Sequence, residues 1–305
     1  MLNQIKDGNV VKIEGILSEI DLKYGTFTKD GVETKSVGGH IKVRVNTKVN
    51  GVDAELEIPV HMFATQYTKN GAVNPAFESI ERVMNEYVSI AASDIDRADR
   101  VRITRGTIAM NEYYGQNENL VSFPRISTSF VTKIKKDECK PDASFTAIFM
   151  VGSKGYEVDR EGVETDRYKV TGMIPQYGGK VDVVPFYATN PGVIDAISQY
   201  WNDGDTVKAT GKLNFTSTVE KFEVKVDFGE SSEGHRTVSV SDLVITGGSS
   251  TPLEGEFAIN YDDVRAALEA RKAHLAQLKE KSKNKGTAGK APAASTGNKF
   301  AGLGF

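Results

Sequence analysis

Basic side chains alternate with apolar ones along a predicted strand at residues 41–49. Because successive side chains of a strand point to opposite faces, Lys42, Arg44 and Lys48 should share one face. The predicted strand at residues 99–106 should also present arginines to solvent: Arg100, Arg102 and Arg105. Aromatic residues occupy the predicted loops nearby: Tyr24, Phe27, Tyr113 and Tyr114. Cations attract phosphates and exposed rings stack on bases, so this mixture is typical of a surface that binds single-stranded nucleic acid.

A solvated sheet face carries the same alternation, so a β-rich structural or adaptor protein that binds other proteins is an open alternative. Most other aromatic residues are expected in a core: Phe63, Phe77, Phe186, Trp201 and Phe215. Tyr113 and Tyr114 differ, because two adjacent side chains of a strand cannot both point inward. One of these two tyrosines is therefore the better stacking candidate.

The chain contains an internal repeat. Residues 30–34 read Asp-Gly-Val-Glu-Thr, and residues 161–165 read Glu-Gly-Val-Glu-Thr. Each copy leads into two alternating strands separated by Asn-Gly or Gly-Gly, which favour hairpin turns. Each hairpin ends in a similar sequence, which includes Ile58-Pro59 in one copy and Val184-Pro185 in the other. The two copies should therefore share one fold.

Each copy is predicted to contain three strands, a helix and two further strands. Asn-Pro pairs mark the helix starts, because Asn is a good N-cap and Pro suits the first turn. The first copy has predicted strands at 10–20, 41–45, 54–60, 99–106 and 121–134, with a helix at 76–87. The second has them at 144–151, 168–172, 181–186, 205–211 and 235–245, with a helix at 192–201. This order predicts a mainly β protein with two tandem OB-like five-stranded Greek-key barrels.

The predicted organisation has five parts. Residues 1–136 and 137–248 form the two OB-like domains, and residues 249–260 form a linker. Residues 261–282 form a C-terminal helix, and residues 283–305 form a disordered tail rich in Lys, Gly, Ala and Ser. Apolar residues are unusual in such a tail, so they are expected to bind replication or recombination proteins: Phe300, Leu303 and Phe305.

Charge is distributed unevenly over the chain. The net charge is −3, but residues 1–136 carry 18 basic and 17 acidic side chains, whereas residues 137–248 carry 11 and 18. The first unit is therefore the better candidate for binding a polyanion. The corresponding candidates in the second unit are Lys169, Lys180, Lys208, Lys212, Tyr156 and Tyr177.

Motifs typical of enzymes are absent from the sequence. It has no dinucleotide-binding or phosphate-binding glycine motif and no Gly-x-Ser-x-Gly elbow. Asp94 and Asp96 are expected to cap turns rather than catalyse a reaction. A single cysteine and four scattered histidines predict neither a metal site nor a cofactor. Without a long apolar run or a signal segment, we expect a cytoplasmic protein with no membrane contact.

Two strands resemble those of a known family. Residues 205–213, Asp-Thr-Val-Lys-Ala-Thr-Gly-Lys-Leu, resemble the fourth strand of bacterial and phage single-stranded DNA-binding proteins, and residues 11–17 resemble their first strand. The resemblance implies an OB fold, protection of single-stranded DNA during replication or recombination, and no catalysis. Two fused units are similar to the diverged phage-encoded members. The chain ends in Phe305 without the family's acidic tail, and an OB protein for RNA remains a further alternative.

Overall fold

The computed structural model describes residues 2–29, 31–49, 51–115, 118–159, 161–224 and 232–287. Within these ranges the chain is mainly β, as predicted, and forms eleven strands and three α-helices. The first half contains β1 (Asn9–Lys29), β2 (Val32–Val49), β3 (Val52–Thr65), α1 (Pro75–Glu86), β4 (Arg100–Tyr114), β5 (Leu120–Ser127) and β6 (Thr132–Ile134). The second half contains β7 (Asp142–Val158), β8 (Glu164–Gln176), β9 (Lys180–Ala188), α2 (Pro191–Tyr200), β10 (Thr206–Val224), β11 (Ser232–Gly248) and α3 (Tyr261–Thr287).

The first five strands close into a barrel. β1 pairs with β2 and β4, β2 with β3, and β5 with both β3 and β4. The contact between β3 and β5 is parallel, and all the others are antiparallel. This closed order, with a helix between the third and fourth strands, confirms the predicted OB topology.

The second set of strands repeats this arrangement. β7 pairs with β8 and β10, β8 with β9, and β11 with β9 and β10, again with one parallel contact. Four of the aromatic residues expected in the cores are buried: Phe77, Phe186, Trp201 and Phe215. Both helices begin as predicted, because the Asn74 and Asn190 side chains accept hydrogen bonds from first-turn N–H groups.

The two barrels share one sheet. Residues 9–14 of β1 pair antiparallel with residues 142–147 of β7, so that Val11 lies opposite Phe145. Both of these side chains are buried, and residues of the two barrels form one continuous apolar core. β10, β7, β1 and β4 are consequently consecutive neighbours within one eleven-stranded sheet, and this row of four strands crosses from one barrel to the other.

Helix α3 packs on the outside of the second barrel. Val264 and Ala267 are buried against outward-facing residues of the second barrel: Ile148, Met150, Met173 and Val181. These strand positions alternate with core positions, so the barrel wall is apolar on both sides at this place. No helix in the described part of the chain is long and apolar enough to cross a membrane.

Two expectations about strand limits are wrong. The predicted strand at 121–134 is interrupted, because the Thr128 N–H donates to the His61 carbonyl and the Thr128 hydroxyl accepts from the Phe130 N–H, which turns the chain. β6 then pairs again with β4, in the same antiparallel register as β5. Tyr24 belongs to β1, and Tyr113 and Tyr114 belong to β4, rather than to loops, because β1 and β2 extend as a long hairpin to Lys29 and β4 extends to Tyr114.

Gly211 offers a test of the second barrel's closure. A Cβ atom at this position would lie 2.1 Å from the Val244 carbonyl oxygen and 2.5 Å from the Phe145 ring. We expect Gly211→Ala to lower the free energy of unfolding by about 1–3 kcal/mol. Urea denaturation followed by Trp201 emission measures this change. Gly155→Ala is the matched control, because no atom lies within 4 Å of its Cβ position, and an equal loss in both variants would contradict the explanation.

Candidate nucleic-acid interface

The predicted basic face of β2 is an array of ion pairs. Each cation meets a carboxylate from a neighbouring strand: Lys42 Nζ lies 2.5 Å from Glu19 Oε2, Arg44 Nε 2.8 Å from Glu57 Oε1, and Lys48 Nζ 3.2 Å from Asp53 Oδ1. The three side chains do lie on the outer face, as alternation requires. Their charges are largely neutralised, so this face is not the basic groove that its residue types suggest.

The three arginines of β4 have different environments. The expectation that Arg100 is exposed is wrong: its guanidinium is buried and donates to the carbonyls of Ile95 and Ala98. These acceptors belong to the loop that precedes β4, which folds over the side chain. Arg102 is half-buried and donates to Glu14, with 2.7 Å between Nε and Oε2. Arg105 is exposed and forms no ion pair with any described residue.

The hairpin of β4 and β5 has two different faces beyond Met110. On the front, the rings of Tyr113 and Phe123 pack edge to face with their centroids 6.4 Å apart. They remain 47% and 38% exposed. Glu112 and Tyr114 alternate with these positions and lie on the back. The structure therefore separates the two adjacent tyrosines, and Tyr113 is the one that faces solvent.

Strand β3 continues the front face. It lies next to β5, with His61 opposite Ser127, and Phe63 follows two residues later on the same side. Phe63 is 47% exposed and its ring covers Gly38, so its expected place in the core is wrong. The inward positions are the alternating ones, Ile58, Val60, Met62 and Ala64. That pattern was visible in the sequence and could have identified Phe63 as an outward residue.

We call this front surface the aromatic face and define it by Phe63, Tyr113, Phe123, His61 and Arg125. Phe123 and Arg125 share its side of β5 and were not singled out by the sequence patterns. Burial, followed by the positive charge of Arg125, lowers the pKa of His61. The lowered pKa favours the neutral imidazole, and Arg125 is the cation of the face.

Helix α3 packs against the back of this hairpin. Arg271 forms an ion pair with Glu112, and both side chains are largely shielded from solvent. The Ser282 hydroxyl donates to the Tyr114 carbonyl at 3.4 Å, and Lys279 Nζ lies 5.9 Å from the centre of the Tyr114 ring. The helix thus covers the face opposite the exposed rings, and Tyr114 is not a free stacking surface.

The second barrel also holds β4 where the hairpin leaves the first barrel. The Asp182 carboxylate accepts from the Met110 N–H at 2.9 Å, and the Gln176 amide donates to both Asp182 and the Ile108 carbonyl at 3.0 Å. Burial raises the pKa of Asp182. These bonds join the β8–β9 turn of the second barrel to the hairpin that carries Tyr113.

Several remaining candidates lie elsewhere. The Tyr24 hydroxyl donates to Glu81 of α1, and Lys35 Nζ lies 3.9 Å from the centre of its ring, so Tyr24 is partly occupied by contacts within the protein. The Phe27 side chain lies outside the part of the chain that the structure describes, as do the tail residues Phe300, Leu303 and Phe305.

The candidates of the second barrel are dispersed. Lys169, Lys180 and Lys208 are exposed, whereas Lys212 Nζ lies 2.6 Å from Asp142 Oδ1. Tyr177 is 77% exposed at the β8–β9 turn, with Lys69 of the first barrel 5.7 Å from its ring centre. Tyr156 packs edge to face on Tyr168. The structure does not gather these aromatic residues into one face.

The loop carboxylates accept hydrogen bonds from backbone N–H groups, as expected of residues that cap turns. Asp94 Oδ1 accepts from the N–H groups of Asp96 and Arg97, and Asp205 Oδ2 accepts from the Asn202 N–H. Across the described ranges, no three His, Cys, Asp or Glu side chains are grouped as metal ligands.

The family model described as YorF matches residues 7–281. This chain belongs to the YorF family. The YorF match begins just before β1 and ends within α3, so it includes both barrels, the β1–β7 pairing and the helix behind the hairpin. No curated protein matches the chain.

Two solved structures of the single-stranded DNA-binding protein from Thermus aquaticus are similar to this YorF chain. A deletion variant has a TM-score of 0.46 at 10% identity and covers 81% of this chain and 95% of its own. The wild-type protein has a TM-score of 0.45 at 10% identity, with coverages of 81% and 94%. The OB assignment itself comes from the strand order of the two barrels.

The Arg271–Glu112 ion pair can be tested for its effect on the hairpin. We expect Arg271→Met to lower the free energy of unfolding by about 1–3 kcal/mol, because Glu112 would keep a shielded charge without its partner. Amide hydrogen exchange over residues 108–114 should accelerate at the same time. Lys272→Met is the matched control, since Lys272 is exposed and forms no ion pair with a described residue. Unchanged exchange in Arg271→Met would show that the pair does not hold the hairpin.

The Glu14–Arg102 pair predicts a pH dependence. The hydrogen bond from Arg102 holds the pKa of Glu14 below its ordinary value of about 4.5. Because the pKa of Glu14 is lower in the folded state than in the unfolded state, its ionised carboxylate stabilises the folded protein at pH values above the ordinary pKa. This contribution disappears as the pH falls through the folded-state pKa. Glu14→Gln should therefore cost about 1 kcal/mol at pH 7 and progressively less below about pH 4.5.

Denaturation measured from pH 7 down to pH 3 checks this prediction. Glu86→Gln is the control, because Glu86 is exposed and has no ion-pair partner among the residues that the structure covers. A deficit in Glu14→Gln that grows on acidification would contradict the sign.

Proposed function

We propose that this protein is a non-catalytic single-stranded DNA-binding protein, and that the aromatic face of its first barrel binds the unpaired bases. One observation carries the proposal: Phe63, Tyr113 and Phe123 present partly exposed rings from three adjacent strands of an OB barrel. An OB fold uses its second and third strands and the loop between its fourth and fifth strands to bind oligonucleotides. The aromatic face occupies that side of the barrel.

The chemistry of the face favours sequence-tolerant binding. Every base has a π-face, so exposed rings accept any base, and each stacked base contributes about 1–3 kcal/mol. Arg125 follows Phe123 by two residues on the same side of β5, and it offers a cation to the phosphates or a planar surface to a base. Duplex DNA hides its base faces within the stack, so these rings favour a single strand.

The rings are held in place before any ligand arrives. Arg271 and Ser282 of α3 support the back of the hairpin, while Asp182 and Gln176 support the strand that leads into it. A surface that is already ordered loses less conformational entropy on binding. The rigid support therefore favours affinity for a flexible ligand.

We place this activity in DNA replication, recombination or repair, with a bacteriophage as the proposed source. The support is the resemblance of β1 and β10 to strands of bacterial and phage single-stranded DNA-binding proteins, together with two barrels in one chain. RNA is the competing ligand, because its bases would stack on the same rings.

Replacing the rings tests the proposal. The variant Phe63→Ala/Tyr113→Ala/Phe123→Ala should bind oligo-dT at least about a hundredfold more weakly, because about 1.4 kcal/mol corresponds to tenfold. Fluorescence anisotropy of a labelled oligomer measures the affinity at low and moderate salt. Tyr200→Ala is the control, since Tyr200 is a partly exposed tyrosine at the end of α2 in the other barrel.

Three outcomes distinguish the alternatives. Wild-type protein that fails to bind oligo-dT at low salt would rule out the proposed function. Tighter binding of oligo-U than of oligo-dT would assign the face to RNA instead. Equal affinities of the triple variant and the wild type would place the binding site elsewhere on the molecule.

A further inference from the structure

The sheet shared by the two barrels has an outer face that the proposed function does not use. Core residues alternate with outward residues on these four strands except at an irregularity in the β1–β4 pairing, where Thr104 and Arg105 are both exposed, so the outward residues can be identified from burial. We call this surface the joined face. Its main outward residues are Lys208, Thr210 and Lys212 on β10, Ser144 and Thr146 on β7, Lys12 and Glu14 on β1, and Arg102, Thr104 and Arg105 on β4.

Strand pairing places these residues in cross-strand rows. Lys212 lies opposite Ser144, and Ser144 lies opposite Lys12 on the next strand. β4 follows, with Arg105 next to Gly106, which faces Val11. Neighbouring strands are about 4.8 Å apart, so the row from β10 to β4 spans roughly 14 Å and draws cations from both barrels.

The joined face is positively charged in a chain that is negative overall. Its described residues include five cations and two carboxylates, Glu14 and Asp142, each of which pairs with one cation. Three cations are exposed and form no ion pair with a described residue: Lys12, Arg105 and Lys208. No described carboxylate pairs directly with them, so they remain accessible to an external partner, unlike the paired cations of β2.

The other side chains of this face show which part of a nucleic acid would fit it. Between the cations lie hydroxyl groups, Thr210, Ser144, Thr146 and Thr104, and the face has no aromatic residue among those described. Hydroxyl and cationic side chains are the usual partners of phosphate oxygens, whereas bases require rings or matched amides. The chemistry therefore fits a sugar–phosphate backbone.

We infer that the joined face binds the phosphates of the same single strand whose bases stack on the aromatic face, and leads that strand from the first barrel to the second. This inference rests on the proposed function. β4 connects the two surfaces, because Arg105 and Tyr113 are eight residues apart on one strand, a distance of roughly 26 Å. An oligomer of about four nucleotides is too short to reach from one surface to the other, whereas a long oligomer reaches both.

The test combines one triple variant with two lengths of oligo-dT. In Lys12→Ala/Arg105→Ala/Lys208→Ala no ion pair within the described ranges is broken, so folding should be preserved. The control Arg82→Ala/Lys272→Ala/Lys281→Ala removes the same charge from exposed residues of α1 and α3 that have no described ion-pair partner. Affinities are measured as a function of salt for oligomers of about 4 and about 30 nucleotides, which correspond to the smallest site of one OB fold and to the combined site of several.

We expect the joined-face variant to bind the short oligomer like wild type and the long oligomer at least about tenfold more weakly. Its slope of log affinity against log salt for the long oligomer should fall by about 2, at about 0.7 for each lost phosphate contact. The control should retain the wild-type slope.

Other outcomes have separate meanings. An unchanged affinity and slope for the long oligomer overturn the inference while leaving the aromatic face intact. Equal losses of affinity in the joined-face variant and in its control would show that only the overall charge of the protein matters, and they would also overturn the inference. A change in the protein's own oligomeric state in the joined-face variant would assign the face to a second copy of the chain. Wild-type protein that binds neither oligomer defeats the proposed function itself.

Discussion

Backbone pairing between residues 9–14 of β1 and residues 142–147 of β7 is the constraint on which the rest of the structure depends. It puts the inward side chains of both first strands on the same side of one sheet, so that the two barrel interiors merge into a single apolar core. The same pairing brings the β8–β9 turn of the second barrel next to β4 of the first. It also brings α3, which is anchored on the second barrel, within reach of the β4–β5 hairpin.

The outer surfaces of the two barrels differ at corresponding strand positions. Glu57 precedes the Ile58-Pro59 step and faces Arg44 across the strands, whereas Val183 precedes the Val184-Pro185 step and faces Met173. A half-buried ion pair in one barrel thus corresponds to an apolar pair in the other. The ion pair is compatible with water, and the apolar surface around Met173 is covered by α3. The helix consequently packs on the second barrel and leaves the outer face of the first one open.

Local patterns predicted much of this architecture, because they report local physics. Period-two alternation located the strands, and Asn-Pro pairs located the starts of both helices. Long-range partners were beyond such patterns: Glu112 and Arg271 are 159 residues apart, and the carboxylates that neutralise Lys42, Arg44 and Lys48 depend on strand register. The burial of Arg100 depends on loop carbonyls, and the alternation of apolar and polar residues does not predict where those carbonyls lie. Phe63, in contrast, could have been placed correctly by alternation alone.

The β1–β7 pairing also determines how either half of the chain would behave as an isolated fragment. The two paired segments are the first strands of equivalent barrels, and they meet antiparallel, as the same strand of two identical subunits would across a twofold axis. The fused chain is in this sense an internal dimer. A fragment containing the first barrel alone would leave residues 9–14 with an unpaired backbone edge, which is a template for another strand. Such a fragment would be driven to self-associate through β1, and covalent fusion satisfies that edge at any protein concentration.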